Sequence, residues 1–156
     1  MAFERVRRTR GGDFRIRIPP SERALLRTLP GQLRDLLGEE GSEDPARRRL
    51  FPSATLDDTQ VDAEYQRLTH DDLLAERLVA VETMERTLEA ERLSEDELVA
   101  WLSVLNDLRL VLGIRLEVTE ETTVADFAPD DPRAGTYAVY GYLTFLEDQV
   151  VLALSG

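Results

Sequence analysis

A mostly α-helical bundle of about five helices with an N-terminal β-hairpin is what this sequence predicts, and three observations carry it. Apolar residues recur at three-and-four spacing through most of residues 20–154, the period of one helix face. Proline, aspartate and serine stand at helix-start positions ahead of those stripes. In front of them all, Gly11-Gly12 separates two short runs, the second strictly alternating, as a hairpin requires.

In the hairpin, residues 1–18, Phe14, Ile16 and Ile18 alternate with Arg15 and Arg17. A two-residue Gly-Gly loop would set Val6 opposite Arg17. A three-residue loop of Arg10-Gly11-Gly12 instead sets Val6 opposite Ile16, Arg7 opposite Arg15 and Arg5 opposite Arg17. The second register keeps each face consistent and puts glycine where φ must be positive, so it is the one expected. Pro19-Pro20-Ser21-Glu22 opens a helix over 20–37. Leu25, Leu26, Leu29, Leu33, Leu36 and Leu37 are its stripe, and Pro30-Gly31 inside it should kink or split it. Arg47-Arg48-Arg49-Leu50-Phe51-Pro52 is a short basic element closed by proline.

The bundle proper is expected over 57–154. Asp57 or Asp58 caps a helix to about residue 68, and Thr69-His70-Asp71-Asp72 starts another to about residue 91, with Leu74, Leu78, Val81 and Leu88 inside. Ser94-Glu95-Asp96-Glu97 is a capping box. The helix it opens carries Leu98, Trp101, Leu105, Leu108 and Leu112, widened by Leu102, Val104 and Val111, and belongs at the bundle centre. Residues 110–118 read as helix, or as strand because Leu112, Ile114, Leu116 and Val118 alternate around Gly113; helix is preferred. A polar link over 119–131 leads to a last helix near 133–154 bearing Tyr137, Tyr140, Leu143, Leu146, Val150 and Leu154. No internal repeat is visible, and residues 1–156 are expected to form a single domain.

Composition excludes several chemistries. The 156 residues include 42% apolar side chains, enough to bury roughly two-thirds of the unfolded surface. There is no cysteine, which removes disulfides, thiolate ligands and thiol nucleophiles. The single histidine, His70, is read as part of a helix-cap pattern, and a carboxylate-only metal site is the remaining metal option. No phosphate-binding glycine loop, dinucleotide fingerprint, nucleophile elbow or HExxH helix is present. No catalytic, cofactor-binding or metal-ligating residue is therefore assigned, and a non-enzyme is expected. The opening Met1-Ala2-Phe3-Glu4-Arg5 has no apolar core of signal-peptide length, and no stretch reaches a membrane span. A cytoplasmic protein without membrane contact is expected.

Charge is divided along the chain. Net charge is −12, and all 19 basic residues are arginine, a bias that a GC-rich genome explains. Residues 1–49 hold twelve arginines against eight acids, whereas residues 50–156 hold seven against 23. Such an acidic body repels phosphate backbones.

Four groups of residues are candidates for binding. Arg5, Arg7, Arg15 and Arg17 share one face of the hairpin in the expected register, and like charges directly across from one another need an acidic cover. That cover is either the protein's own helices or a partner; Arg8 and Arg10 lie at the rim. Arg47, Arg48 and Arg49 are a solvated face or an extension of that surface. Asn106, Asp107, Arg109 and Arg115 interrupt an apolar helix and must be paired, Asp107 with Arg115 or with an arginine of another helix. Tyr142 and Phe145 lie off the inner face of the last helix and need a neighbour, which points to a homodimer interface.

Three stretches carry a family resemblance: Tyr65-Gln66-Arg67-Leu68-Thr69-His70-Asp71-Asp72-Leu73-Leu74; Trp101-Leu102 with Leu105-Asn106-Asp107-Leu108-Arg109-Leu110-Val111-Leu112-Gly113-Ile114-Arg115-Leu116; and residues 137–154. With the hairpin and Leu29-Pro30-Gly31-Gln32-Leu33-Arg34, the chain resembles an actinobacterial family catalogued as a domain of unknown function and associated with an oxidative-stress transcriptional regulator. The resemblance implies a regulator acting through partner proteins or near promoters, without enzymatic activity, and genes that often neighbour that of a Clp protease adaptor. Redox sensing in that family is linked to cysteine, which this chain lacks, so thiol-based sensing does not carry over. The expected function is that of a non-enzymatic regulatory protein acting by protein–protein interaction, with an acidic protein surface, the transcription apparatus included, as partner. Direct DNA binding through the hairpin arginines and a carboxylate- or metal-dependent enzyme are the alternatives.

Overall fold

A computed structural model describes residues 3–51 and 60–156; the expected cap at Asp57 or Asp58 and the stop at Pro52 lie outside the described residues. Strands β1 (Val6–Arg8) and β2 (Phe14–Ile16) form the hairpin. Helices α1 (Pro20–Leu37), α2 (Pro45–Leu50) and α3 (Gln60–Thr87), strand β3 (Arg92–Leu93), and helices α4 (Glu95–Leu116) and α5 (Pro132–Ser155) follow in order. The architecture is the mostly helical one that the patterning predicts.

The most apolar helix lies innermost. α4 starts at its capping box, where Ser94 N–H donates to Glu97 Oε1 at 2.8 Å and Glu97 N–H to Ser94 Oγ at 3.2 Å. It packs against α5, α3, α2 and α1, so Leu98, Trp101, Val104, Leu105, Leu108 and Val111 are all buried. Residues 110–116 remain helical, the preferred of the two readings, and Gly113 does not interrupt them. The helix closes instead at Glu117, held at φ 54°, with Val118 N–H donating to the Gly113 carbonyl at 3.0 Å. Trp101 is fully buried, and its Nε1–H donates to Thr87 Oγ1 of α3 at 2.8 Å.

Three expectations need correction. α3 runs unbroken from Gln60 to Thr87, so Thr69-His70-Asp71-Asp72 is not a helix start. No glycine or proline falls in that span, so nothing stops the backbone ladder, and the His70 ring packs on Phe51 with centroids 4.3 Å apart. The same helix stops at Thr87 rather than near 91. Beyond it, Arg23 of α1 donates to the carbonyls of Leu88 and of Ala90, so side-chain donors replace the missing helical ones. The segment that follows forms β3, a strand with no counterpart in the periodicity. α1 also stays one helix through Pro30, which is buried.

The sheet has order β1-β2-β3, antiparallel throughout. Val6, Phe14, Ile16 and Leu93 point inward and are buried with the helical core. No helix among the described residues is long and apolar enough to cross a membrane.

Two substitutions test these joints. Thr87→Val leaves the buried indole N–H unpaired and is expected to cost about 1–3 kcal/mol, read by urea unfolding through Trp101, the sole tryptophan. Glu117→Gly removes a left-handed non-glycine residue from a helix end and is expected to gain about 1 kcal/mol in the same assay.

Candidate functional site

The hairpin turn places Gly12 at φ +93°. Thr9 N–H donates to the Asp13 carbonyl at 2.8 Å, leaving the three-residue loop that keeps the faces consistent. The resulting register pairs Val6 with Ile16 and Arg7 with Arg15, as expected. β3 then sets Arg92 opposite Arg15. Arg7, Arg15 and Arg92 therefore form one row across three strands on the outward face, with adjacent strands about 5 Å apart. All three are exposed, as is Arg17.

Little acid faces this row. Arg7 meets Glu4 at 3.3 Å and Arg92 meets Asp13 at 3.5 Å, solvent-screened pairs that contribute little. Arg10, Arg15 and Arg17 have no ion pair among the described residues. Arg7, Arg10, Arg15, Arg17 and Arg92 line a hollow of about 310 Å³. Arg15 and Arg17 also line a second hollow of about 470 Å³, walled by Phe3, Ile18 and Pro19.

Arg5 does not share this open face. It turns in: its Nε donates to Glu22 Oε1 at 3.0 Å and an Nη to Oε2 at 2.7 Å, while its backbone N–H donates to Gln149 Oε1 at 2.9 Å. The Arg5 guanidinium holds the Glu22 carboxyl below its ordinary value. Phe145 packs 5.1 Å from the same guanidinium. Tyr142 is half-buried beside the pair; burial, then Glu22, pushes its phenol upward. The neighbour that Tyr142 and Phe145 require is thus the chain's own hairpin and α1, which removes the reason for assigning them to a dimer interface.

The other candidates disperse. Arg47 is buried and donates to the carbonyls of Leu36 and Leu37 at 3.1 and 2.9 Å, closing α1; it is a structural residue. Arg48 and Arg49 are exposed on α2, which Asp44 ties to Arg115 at 3.3 Å near the end of α4. The hairpin lies at the start of α4, where Arg8 meets Glu95 at 3.8 Å. At about 1.5 Å rise per residue those ends are about 30 Å apart, so the two basic groups do not merge.

Asn106 is exposed. Asp107 pairs with Arg77 of α3 at 3.0 Å, the arginine-of-another-helix option, and Arg109 pairs with Glu147 of α5 at 3.0 Å. These are ties between helices rather than a common polar patch. Arg92 is the residue that sequence reasoning missed, because a two-residue strand is too short to show a period. Among the described residues no three His, Asp or Glu side chains gather as metal ligands.

The family described as Domain of unknown function (DUF2017) matches residues 2–154. The chain is similar to "Oxidative stress regulator AosR" of Mycobacterium bovis, 29% identical over 192 aligned positions covering 99% of this chain and 88% of the relative. It is likewise similar to "Putative oxidative stress regulator AosR" of Mycobacterium leprae, 30% identical over 195 positions covering 97% and 87%. No solved structure matches the chain.

Arg77 and Asp107 yield a pH test. Burial holds the Asp107 carboxyl above its ordinary value although Arg77 pulls it down. The native state thus binds that proton more tightly than the unfolded chain, so this group favours folding more as pH falls. Arg77→Met strands a buried carboxylate and raises it further. The expected loss is about 3 kcal/mol at pH 7, the low end for a broken buried pair because Arg77 keeps some contact with water. It should shrink in mildly acidic buffer, as the raised carboxyl takes up its proton. An equal deficit at both pH values would show that Asp107 does not govern it.

Proposed function

This chain belongs to the DUF2017 family, and on that premise we propose that it is a non-enzymatic regulatory protein acting by protein–protein interaction. Its docking surface is the outward hairpin face, and its partner is an acidic protein; the transcription apparatus is the partner class that the resemblance implies. The observation that supports this reading is the row Arg7–Arg15–Arg92, exposed, in register and almost without acidic cover. Directly opposed like charges destabilise a sheet, and a partner's carboxylates relieve that repulsion on docking. Relatives named oxidative stress regulators support a regulatory role.

Geometry favours protein over duplex DNA. Glu4 and Asp13 stand at the two ends of the row and Glu95 beside Arg8, and the chain carries net −12. A duplex wide enough to span the hairpin meets those acids, whereas a narrow acidic element need not. The acids around the arginines are not buried, so nothing there is poised for proton transfer.

Charge reversal separates binding from folding. Arg15→Glu with Arg92→Glu should abolish at least nine-tenths of partner capture from the native host (about tenfold, or 1.4 kcal/mol). It should leave the free protein's stability within about 1 kcal/mol, because the two new carboxylates repel each other as the guanidinium groups did while the one at position 15 attracts Arg7. Arg48→Glu with Arg49→Glu should leave capture intact. Capture lost only in the second variant would place the docking surface on α2. Salt-steep binding of duplex DNA by the wild-type chain, without protein capture, would give the role to DNA.

A further inference from the structure

The two hollows on the hairpin side share a wall. Arg15 and Arg17, two residues apart on one strand face, stand as a ridge between them. On one side the lining is mostly guanidinium, from Arg7, Arg8, Arg10 and Arg92, with Glu4 and Thr9 beside them. On the other, Phe3 and Pro19 stand over the buried Ile18, with Arg23 and Glu91 at the margin. Phe3 is 47% exposed although its ring contacts the Arg5 guanidinium at 4.1 Å and lies 5.9 Å from that of Arg17. Exposed phenylalanine beside exposed arginines is an anchor position, because an aromatic ring in a cleft adds affinity that charge alone does not.

We infer that this surface recognises an extended acidic peptide segment carrying an apolar anchor residue: alternate carboxylates engage the arginine hollow, and the apolar side chain enters the cleft of Phe3, Ile18 and Pro19. The inference rests on the reading of the hairpin face as a protein-docking surface and specifies what docks. Spacing supports an extended segment. Residues i and i+2 of a strand lie about 6.8 Å apart on one face, so Arg15 and Arg17 repeat at the interval at which an extended peptide presents alternate side chains. A helix brings its same-face neighbours to about 5–6 Å and spirals them away from a straight row. Chemistry supports the anchor. Of the two hollows only the cleft is lined by accessible apolar residues, Phe3 and the half-buried Pro19, so a ligand meeting both is acidic over the arginines and apolar against Phe3. Glu91 at the cleft margin disfavours a second carboxylate there.

Fluorescence anisotropy with the full chain tests this with four labelled probes. The first is a ten-residue peptide alternating Asp and Ser with Leu two residues beyond the last Asp. The second replaces that Leu with Ser, the third holds the same acids and Leu in an Ala-rich helix, and the fourth is a ten-residue oligothymidylate. The first should bind about tenfold more tightly than the second and the third. Phe3→Ala should bring the first down to the level of the second and leave the second unchanged; Arg15→Gln with Arg17→Gln should weaken both about equally. Phe3 is exposed, so its truncation leaves folding intact. Equal binding of the first two probes, or of the first and the helix, overturns the inference and leaves an acidic protein partner standing. Tightest binding by oligothymidylate, or binding by none, overturns that reading as well.

Discussion

A helix that is apolar on most of its circumference has one stable place, and α4 sets this constraint on the molecule. Leu98, Trp101, Leu105, Leu108 and Val111 would each lose about 1.5–3 kcal/mol if left in water. α1, α2, α3 and α5 all pack on α4, β1 packs on α5 and β3 on α4, with Phe14, Leu93 and Leu98 buried in one core. The outward arginine face exists because of that arrangement. The sheet turns its apolar side to the helical core, β1 against α5 and β3 against α4, and period two then forces Arg7, Arg15 and Arg92 outward.

Arginine does two separate tasks in this chain. Arg5, Arg23, Arg47, Arg77 and Arg109 reach inward and join elements: Arg5 ties the hairpin to α1, Arg23 ties α1 to the end of α3, Arg47 closes α1, and Arg77 and Arg109 tie α4 to its neighbours. A planar fork with several donors suits that task, since one side chain can satisfy two or three carbonyls. Arg10, Arg15 and Arg17, on the outward hairpin face, make no such tie among the described residues. A count of arginines along the chain does not divide the two sets; strand alternation and burial do.

Much of the fold was legible in the residues, and the losses have physical causes. Helix periodicity marked α1, α4 and α5, and face consistency selected the hairpin register. Thr69-His70-Asp71-Asp72 misled because a cap-like string matters only where the preceding chain leaves the helix, and nothing before it does. β3 was invisible because its pairing comes from β2, through Ile16 N–H to the Glu91 carbonyl at 2.8 Å, and not from its own side chains. On the site, the Arg7/Arg15 pair was legible and Arg92 was not. Arg5 and Arg47 were read as surface residues because charge is usually solvated; their burial depends on acceptors, Glu22 and the Leu36 and Leu37 carbonyls, that only the tertiary fold brings near.

The guanidinium row also sets how dissolved salt acts on the empty and occupied forms. Mobile anions screen the crowding of three positive charges, so added electrolyte steadies the unoccupied ribbon; the same ions weaken its attraction for an acidic ligand. On the proposed reading, ionic strength moves ribbon order and ligand retention in opposite directions. In dilute buffer the vacant ribbon is loosest, and on the proposed reading an acidic ligand would be held most firmly there and would clamp the strands beneath it.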